Sequence, residues 1–176
     1  MRFIPLPIQG LFRIEPERHE DARGFFARTF CAAEFAERGL WTDFPQHNIS
    51  FNALKGTVRG MHFQKPPFEE VKVVSCIAGA ILDVAVDLRP QSATYLSHVA
   101  IELSVDNRAA LYISAGFAHG FQALSDGATV SYLMGTPYQP GAGHGLRWDD
   151  PALDINWPQK VTVLSAQDRS FPDFRP

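Results

Sequence analysis

The sequence predicts an all-β protein, a β-sandwich or small barrel, and three observations support this. Most segments are short and rich in Val, Ile, Phe and Tyr, and they alternate between apolar and polar residues with a period of two. Gly, Pro, Asn and Asp bound these segments. The segments also follow one another at short intervals, which is typical of sandwiches and barrels.

The predicted strands lie in the central part of the chain, and other elements flank them. A short helix is predicted near 31–38, with Gly39 as its left-handed C-terminal cap. A tight reversal is predicted at 78–80. The proline-containing C-terminal stretch should wrap over the surface with short helical turns. The predicted strands are Val71 to Ala78, Ile81 to Leu88, Ser97 to Leu103, Ala110 to Ser114, Phe117 to Ala123 and Thr129 to Met134.

Composition limits the classes of protein to consider. With 176 residues, 45% hydrophobic and 20% charged, the chain predicts a single globular domain over 1–176. A net charge of -3 without a basic run argues against a nucleic-acid partner. No stretch approaches the ~20 apolar residues that span a bilayer, and the N-terminus does not resemble a signal peptide. We therefore expect a cytoplasmic protein with no membrane partner.

Several predicted strands carry polar residues on faces that should be apolar. In the segment 81–88, Leu82, Val84, Val86 and Leu88 share one face, and Asp83 lies on the other. Two explanations stay open: one face meets solvent, or one face lines a polar cavity while the other packs on a second sheet or subunit. The unexpected polar residues form a set with acid/base chemistry: Arg59, His62, Lys72, Asp83, His119 and Tyr132.

The order and spacing of several phrases resemble the dTDP-4-dehydrorhamnose 3,5-epimerase family, the cupin-type nucleotide-sugar epimerases. These phrases run through nearly the whole chain: DARGFF from Asp21, QHNIS from Gln46, VRGMHFQ from Val58, DVAVDLR from Asp83, GFAHGF from Gly116, Tyr132 with Tyr138, RWDDP from Arg147 and INWP from Ile155. The resemblance implies a jelly-roll sandwich. It also implies epimerisation of a nucleotide-linked 4-keto-6-deoxy sugar at C3, C5 or both.

This reaction needs a base, a group that stabilises an enolate oxygen, and an acid on the other face of the sugar. The resemblance gives these roles to His62 as base, Asp168 as its carboxylate partner, Lys72 at the oxyanion and Tyr132 as acid. No metal or other cofactor is expected, because the ketone already acidifies the neighbouring protons. The residues that it assigns to substrate binding are Arg23, Phe26, Gln46, Asn48, Arg59, Asp83, His119 and Tyr138.

The resemblance further implies a homodimer. Its expected contacts are the N-terminal segment and the apolar row Leu82, Val84, Val86 and Leu88. This arrangement would cover the row without a solvent-facing sheet.

Three departures from the family pattern concern the surroundings of the acid/base set. Arg28 stands where the family commonly has an acidic residue that helps recognise thymine, and Glu70 replaces a common Gln. Gly141 to Gly143 occupies a region that is usually richer in acidic residues. Because a site built for one hydrogen-bond pattern rejects another, these changes predict a changed nucleotide or sugar. The candidate substrates are dTDP-, CDP- and GDP-linked 4-keto sugars.

Other functions are compatible with the same residues. A metal-dependent cupin would need convergent His and Glu ligands; His62, Glu69 and His119 are available, but Gln64 replaces the second histidine of an HxH phrase. A keto-sugar 3,4-ketoisomerase could use a similar base, and a non-catalytic sugar-nucleotide binding protein could keep only the fold. The base, oxyanion partner and acid together favour an epimerase.

Overall fold

The computed structural model describes residues 1–174, which form mainly β-strands with short helices near Ala32 and Ala166. The strands are β1 (Arg2–Pro5), β2 (Leu11–Glu15), β3 (Arg18–Asp21), β4 (Gly24–Ala27), β5 (Gln46–Asn52), β6 (Val58–Gln64), β7 (Lys72–Ala78), β8 (Ala80–Asp87), β9 (His98–Ser104), β10 (Ala110–Ile113), β11 (Phe117–Ala123), β12 (Ala128–Met134) and β13 (Gly143–Gly145). The helices are α1 (Ala32–Ala36) and α2 (Ala166–Ser170).

Two antiparallel sheets pack face to face as a sandwich. One sheet has the strand order β1-β2-β10-β7-β12-β5, and the other has the order β13-β6-β11-β8-β9. Strands β3 and β4 form a separate hairpin. Apolar side chains from the inner faces fill the space between the sheets; Val74 and Leu111 come from one sheet, and Ile81 and Phe121 from the other. The prediction of an all-β sandwich is confirmed.

The six strands predicted between Val71 and Met134 are confirmed to within one or two residues at each end. The chain reverses at Gly79, which has a positive φ of 70°. Glycine is needed there because a Cβ would collide with Ser125 and lie 3.2 Å from the Cα of Ala128. This turn carries the chain from β7 in one sheet to β8 in the other. The helix α1 ends at Ala36, earlier than predicted, and Gly39 has the expected positive φ of 66°.

The apolar row on β8 is covered by the C-terminal part of the same chain. Val84 and Val86 are fully buried and pack in one cluster with Leu146 and Leu153, while Trp157 packs against that cluster. The prediction that this row forms a dimer contact is therefore wrong, and so is the alternative of a solvent-facing sheet. The return of the chain after β13 provides the missing cover, and period-two alternation carries no information about it.

The outer face of the six-stranded sheet is partly apolar and exposed. Ile49 and Phe51 on β5 have 71% and 63% of their surface exposed, and Ile77 on β7 has 53%. These residues alternate with inward-facing ones, so they share the outer face. No helix within residues 1–174 has the length and apolar character needed to cross a membrane.

Candidate active site

A polar cavity of about 290 Å³ lies between the two sheets. Strand β6 contributes Arg59 and His62, and β11 contributes His119. Lys72 of β7 and Tyr132 of β12 face them from the other sheet. An adjoining cavity of about 490 Å³ shares His62 and Lys72 and is also lined by Tyr138.

His62 is paired with a buried carboxylate. Its Nε2 lies 2.6 Å from Oδ1 of Asp168, which is only 3% exposed. The backbone N–H of Gly60 donates to Oδ2 of the same carboxylate at 3.3 Å. Burial acts to raise the pKa of Asp168, but its hydrogen bonds and charge interaction with His62, together with those to Gly60 and Ser165, outweigh burial and lower it. The carboxylate is thus ionised at neutral pH and accepts a hydrogen bond from the ring N–H of His62.

Asp168 comes from helix α2, which lies over 100 positions after His62 in the chain. The side chain of Ser165 caps this helix by accepting a hydrogen bond from the backbone N–H of Asp168 at 2.9 Å. The cap fixes the first turn of α2, so the carboxylate is held against β6. The pairing of Asp168 with His62, which the family resemblance implies, is present in the geometry.

A second histidine–carboxylate pair lies deeper in the sandwich. His119 Nε2 is 2.8 Å from Oδ1 of Asp83, and the two residues are 5% and 0% exposed. His119 is also the antiparallel neighbour of His62. The register shifts immediately after this point, where a Cβ on Gly120 would stand 2.7 Å from the carbonyl oxygen of Arg59. The close approach of β6 and β11 therefore requires glycine and sets the two histidines side by side.

Lys72 is buried and ion-paired. It is 7% exposed, and its Nζ lies 3.0 Å from Oε2 of Glu70. Lys72 is the first residue of β7, and its side chain lies on the inner face of the sheet, where it lines the cavity. Glu70, one of the departures from the family pattern, thus acts directly on the charge of Lys72.

Tyr132 presents its hydroxyl to the cavity from the six-stranded sheet. The hydroxyl lies 3.1 Å from Oγ of Ser50, and the ring packs edge-on against the imidazole of His119. Burial raises the pKa of Tyr132, and the nearby Asp83 charge adds to this, while Ser50 and Arg59 oppose it. The phenol therefore keeps its proton at neutral pH.

Arg59 is held in place by β5. Its Nε donates to Oδ1 of Asn52 at 2.8 Å, and one terminal nitrogen donates to the carbonyl oxygen of Phe51 at 3.2 Å. Asn52 is itself 1% exposed and donates to the carbonyl of Ala128. The guanidinium is thus fixed at the edge of the cavity with donors left for an anionic group.

Other predicted binding residues lie at the opening of the two cavities. Asn48 lines the smaller cavity, and its side-chain oxygen accepts from Nε2 of Gln46 at 3.2 Å. Gln46 in turn accepts from the backbone N–H of Tyr138 at 2.9 Å. Tyr138 is 67% exposed and lines the larger cavity together with Gly141 and Gly143.

Arg23 and Phe26 are not brought to these cavities. Both lie on the exposed β3–β4 hairpin, where Arg23 pairs with Asp21 and Phe26 is 75% exposed. Arg28 lies near this hairpin and is ion-paired to Glu34 at 3.0 Å. These residues could reach a bound ligand only from a second copy of the chain or after a rearrangement.

Ser50, Asn52 and Glu70 belong to the site although sequence reasoning did not assign them to it. Ser50 and Asn52 alternate with Ile49 and Phe51 along β5, and this polar row was the available signal. The apolar outer row of β5 is exposed and the polar row faces inward, which reverses the usual rule. The pairing of Glu70 with Lys72 had no signal beyond their proximity in sequence.

The histidines of the site are engaged by carboxylates rather than grouped with further ligands. Among residues 1–174, no three His, Cys, Asp or Glu side chains lie close enough to hold a metal ion. Glu69, which the metal alternative needs, lines a different cavity from His119.

The fold and the cavity together define a cupin-type jelly-roll protein with a histidine–carboxylate pair and a buried tyrosine on opposite walls of one cavity. A family model described as dTDP-4-dehydrorhamnose 3,5-epimerase matches residues 5–176. The chain belongs to this epimerase family.

Individual relatives cover almost the whole chain. A dTDP-4-dehydrorhamnose 3,5-epimerase of Sinorhizobium fredii is 44% identical over 99% of this chain and 90% of its own length. A dTDP-4-dehydrorhamnose 3-epimerase of Streptomyces niveus is 41% identical, covering 96% and 82%. A crystal structure of the Bacillus anthracis 3,5-epimerase with TDP and PPi bound superposes with a TM-score of 0.95 at 36% identity, covering 98% of this chain and 99% of that one.

Proposed function

We propose that this protein epimerises a nucleotide-linked 4-keto-6-deoxy sugar at C3, C5 or both. The single observation that carries the proposal is the position of His62 and Tyr132, which line one cavity from opposite sheets. Inversion requires a proton to leave one face of the sugar and to return on the other, and this geometry supports both steps.

His62 is the proposed base, and Nδ1 is its reactive atom. The ionised carboxylate of Asp168 can only accept, so Nε2 carries the proton that faces it. The lone pair then resides on Nδ1, which is free to take a proton from the sugar carbon next to the ketone. The imidazolium that forms is stabilised by the same carboxylate.

Lys72 and Arg59 are proposed to stabilise the enolate. As the C–H bond breaks, negative charge develops on the C4 oxygen, and a buried ammonium close to it stabilises that charge more than it would in water. Lys72 meets this condition because it is 7% exposed and lines the same cavity as His62. Its pairing with Glu70 orients the ammonium before the substrate binds.

Tyr132 is proposed to return the proton. Its raised pKa keeps the phenol protonated at neutral pH, so a proton is available for the basic carbon of the enolate. Ser50 holds the hydroxyl in position at 3.1 Å. Family membership favours this reaction over the carbonyl shift of a 3,4-ketoisomerase.

Solvent-deuterium exchange followed by NMR tests the proposal. The wild-type protein should incorporate deuterium at C3, C5 or both, and the spectrum identifies which carbon reacts. His62→Ala should abolish exchange, while a 3-keto product would indicate the 3,4-ketoisomerase. If the wild-type protein exchanges neither carbon in any nucleotide-linked 4-keto sugar, the epimerase assignment is wrong.

The nucleotide is a separate part of the proposal. The relatives named above act on dTDP-sugars by name, so a dTDP-linked sugar is the first candidate. Arg28 favours a CDP- or GDP-linked sugar as the second candidate, since it replaces an acidic residue, although its own partner is Glu34. Titrations with dTDP, CDP, GDP and UDP decide between them, and clear selectivity for dTDP would contradict the altered-base hypothesis.

We also propose a homodimer in the cytoplasm, with the exposed apolar face of β5 and β7 as its contact. Ile49, Phe51 and Ile77 provide an apolar patch of the kind that subunit interfaces bury. Phe51→Glu should produce monomers in sedimentation experiments, whereas Val163→Glu, also at an exposed apolar residue, should not. In such a dimer, Arg23 and Phe26 would contact a ligand bound in the cavity of the second copy, which they cannot reach in their own chain.

A further inference from the structure

Gln64 is a buried polar side chain at the end of one wall of the active-site region. It is the last residue of β6 and is 7% exposed. Among residues 1–174, neither its amide nitrogen nor its amide oxygen has a hydrogen-bond partner. An unpaired buried amide is costly for stability. Its presence therefore points to a partner that arrives with a ligand.

The position of Gln64 identifies which ligand can reach it. Gln64 lines the cavity of about 490 Å³ together with His62 and Lys72. It also lines a cavity of about 390 Å³ together with Phe117. Gln64 follows His62 by two residues on the same strand, so both side chains lie on the same face. A sugar ring held between His62 and Lys72 would therefore lie beside the Gln64 side chain.

The two free atoms of Gln64 indicate the chemistry of this partner. An amide both donates and accepts, and a hydroxyl group does the same, so one hydroxyl can satisfy either atom or both. A phosphate oxygen only accepts and would leave the amide oxygen unpaired.

We propose that Gln64 binds a hydroxyl of the substrate hexose and thereby selects which sugars the cavity accepts. The proposal rests on the proposed function, because it takes the sugar to be seated beside His62. A site built to hydrogen-bond a hydroxyl rejects an analogue that lacks it, since the buried amide is then left unpaired. Gln64 would thus act in substrate specificity rather than in proton transfer.

Two matched substitutions test this role. Gln64→Met keeps the side-chain length and removes the polar atoms, and Gln64→Leu serves as a second apolar variant. The control is Gln122→Met, because Gln122 is also buried, at 0% exposure, but is fully paired. Its Nε2 donates to the carbonyl of Gln159 and its Oε1 accepts from the N–H of Gln159, both at 2.9 Å.

The expected results are opposite for the two positions. Gln64→Met should leave Tm unchanged or raise it, and should weaken calorimetric binding of a nucleotide-linked hexose by about tenfold or more. Gln122→Met should lower Tm and leave binding unchanged. Binding of the nucleoside diphosphate alone should be equal in the wild-type protein and Gln64→Met. One of the 2-deoxy and 3-deoxy hexose analogues should bind the wild-type protein weakly, and Gln64→Met should not distinguish it from the parent sugar.

Several results would overturn the assignment. Gln64→Met could lower Tm as much as Gln122→Met does, which would reveal a structural partner. It could bind the parent sugar as tightly as the wild-type protein, or lose equal affinity for the nucleoside diphosphate alone. Binding is measured with 4-hydroxy sugars, which do not react. A wild-type protein that binds them but exchanges no deuterium into 4-keto sugars would refute the epimerase function, while the role of Gln64 in binding could still be measured. A wild-type protein that binds no nucleotide sugar would refute both.

Discussion

Replacing Asp168 by Asn tests the central pair of the site with little change in shape. The carboxylate lies 2.6 Å from Nε2 of His62 and is 3% exposed, so the asparagine amide occupies the same buried space. Two effects combine. The negative charge that stabilises the imidazolium is lost, and the amide can donate to Nε2, which moves the proton of the neutral ring to Nδ1.

The magnitude follows from these two effects. A hydrogen bond to a charged group contributes about 1.5–3 kcal/mol and a neutral one about 0.5–1.5 kcal/mol, so the charge alone accounts for a loss of about 1–2 kcal/mol. This corresponds to a fall in kcat of about 5- to 30-fold. If the amide also fixes the unreactive tautomer, the loss extends toward about 10⁴-fold.

The assay is the rate of deuterium incorporation at the sugar carbon, with Tm measured in parallel. Asp150→Asn is the matched control, because Asp150 is also 3% exposed and accepts from the N–H of Ala152 at 2.9 Å outside the cavity. The control should lower Tm without changing exchange. An Asp168→Asn protein that exchanges within twofold of the wild-type rate would refute the role of the carboxylate.

Three further predictions concern Tyr132 as the acid, the close approach of β6 to β11, and stability at low pH. Tyr132→Phe should spare deuterium exchange but reduce inversion by about 10²-fold or more, and equal loss of both in NMR assays would contradict its role as acid. Gly120→Ala places a Cβ 2.7 Å from the carbonyl of Arg59 and should cost about 1–3 kcal/mol in chemical denaturation, whereas Gly143→Ala meets open space and should not. Because the pKa of Asp168 is lowered in the folded protein, its stabilising effect is complete above the ordinary value of 3.8 and is lost as pH falls through the lower folded value. Denaturation curves should therefore show a smaller loss of stability below pH 3.8 in Asp168→Asn than in the wild-type protein, and equal losses would contradict the pairing.

The central strands could be predicted from sequence because each buries one face against the other sheet. Alternation then marks their bounds closely, as in β12, which is predicted from Thr129 to Met134 and observed as Ala128–Met134. The hairpin β3–β4 lacks this signal, since its residues are almost all exposed and nothing distinguishes its faces. The row Val84 and Val86 was recognised as apolar, but its cover comes from residues more than fifty positions later.

The site divides in a similar way. His62, Lys72, His119 and Tyr132 could be identified because each interrupts an apolar strand face, and their convergence follows from the inward direction of those faces. The geometric partners could not be derived from alternation, because they depend on how separate elements meet. The contact of Asp168 with His62 requires helix α2 to dock on β6, and it entered only through the family resemblance.

The C-terminal part of the chain contributes both to packing and to the active site. It covers the apolar row of β8 through Leu146, Leu153 and Trp157, and it carries Asp168 to the base. Local release of this segment would cost less than unfolding the sandwich, because the inner core between the sheets does not depend on it. A molecule in that state would retain its strands but lack the Asp168 partner of His62. It would also expose the apolar row of β8 to other chains. Inactivation and aggregation of this protein should therefore begin with the same event, at a temperature below that of global unfolding.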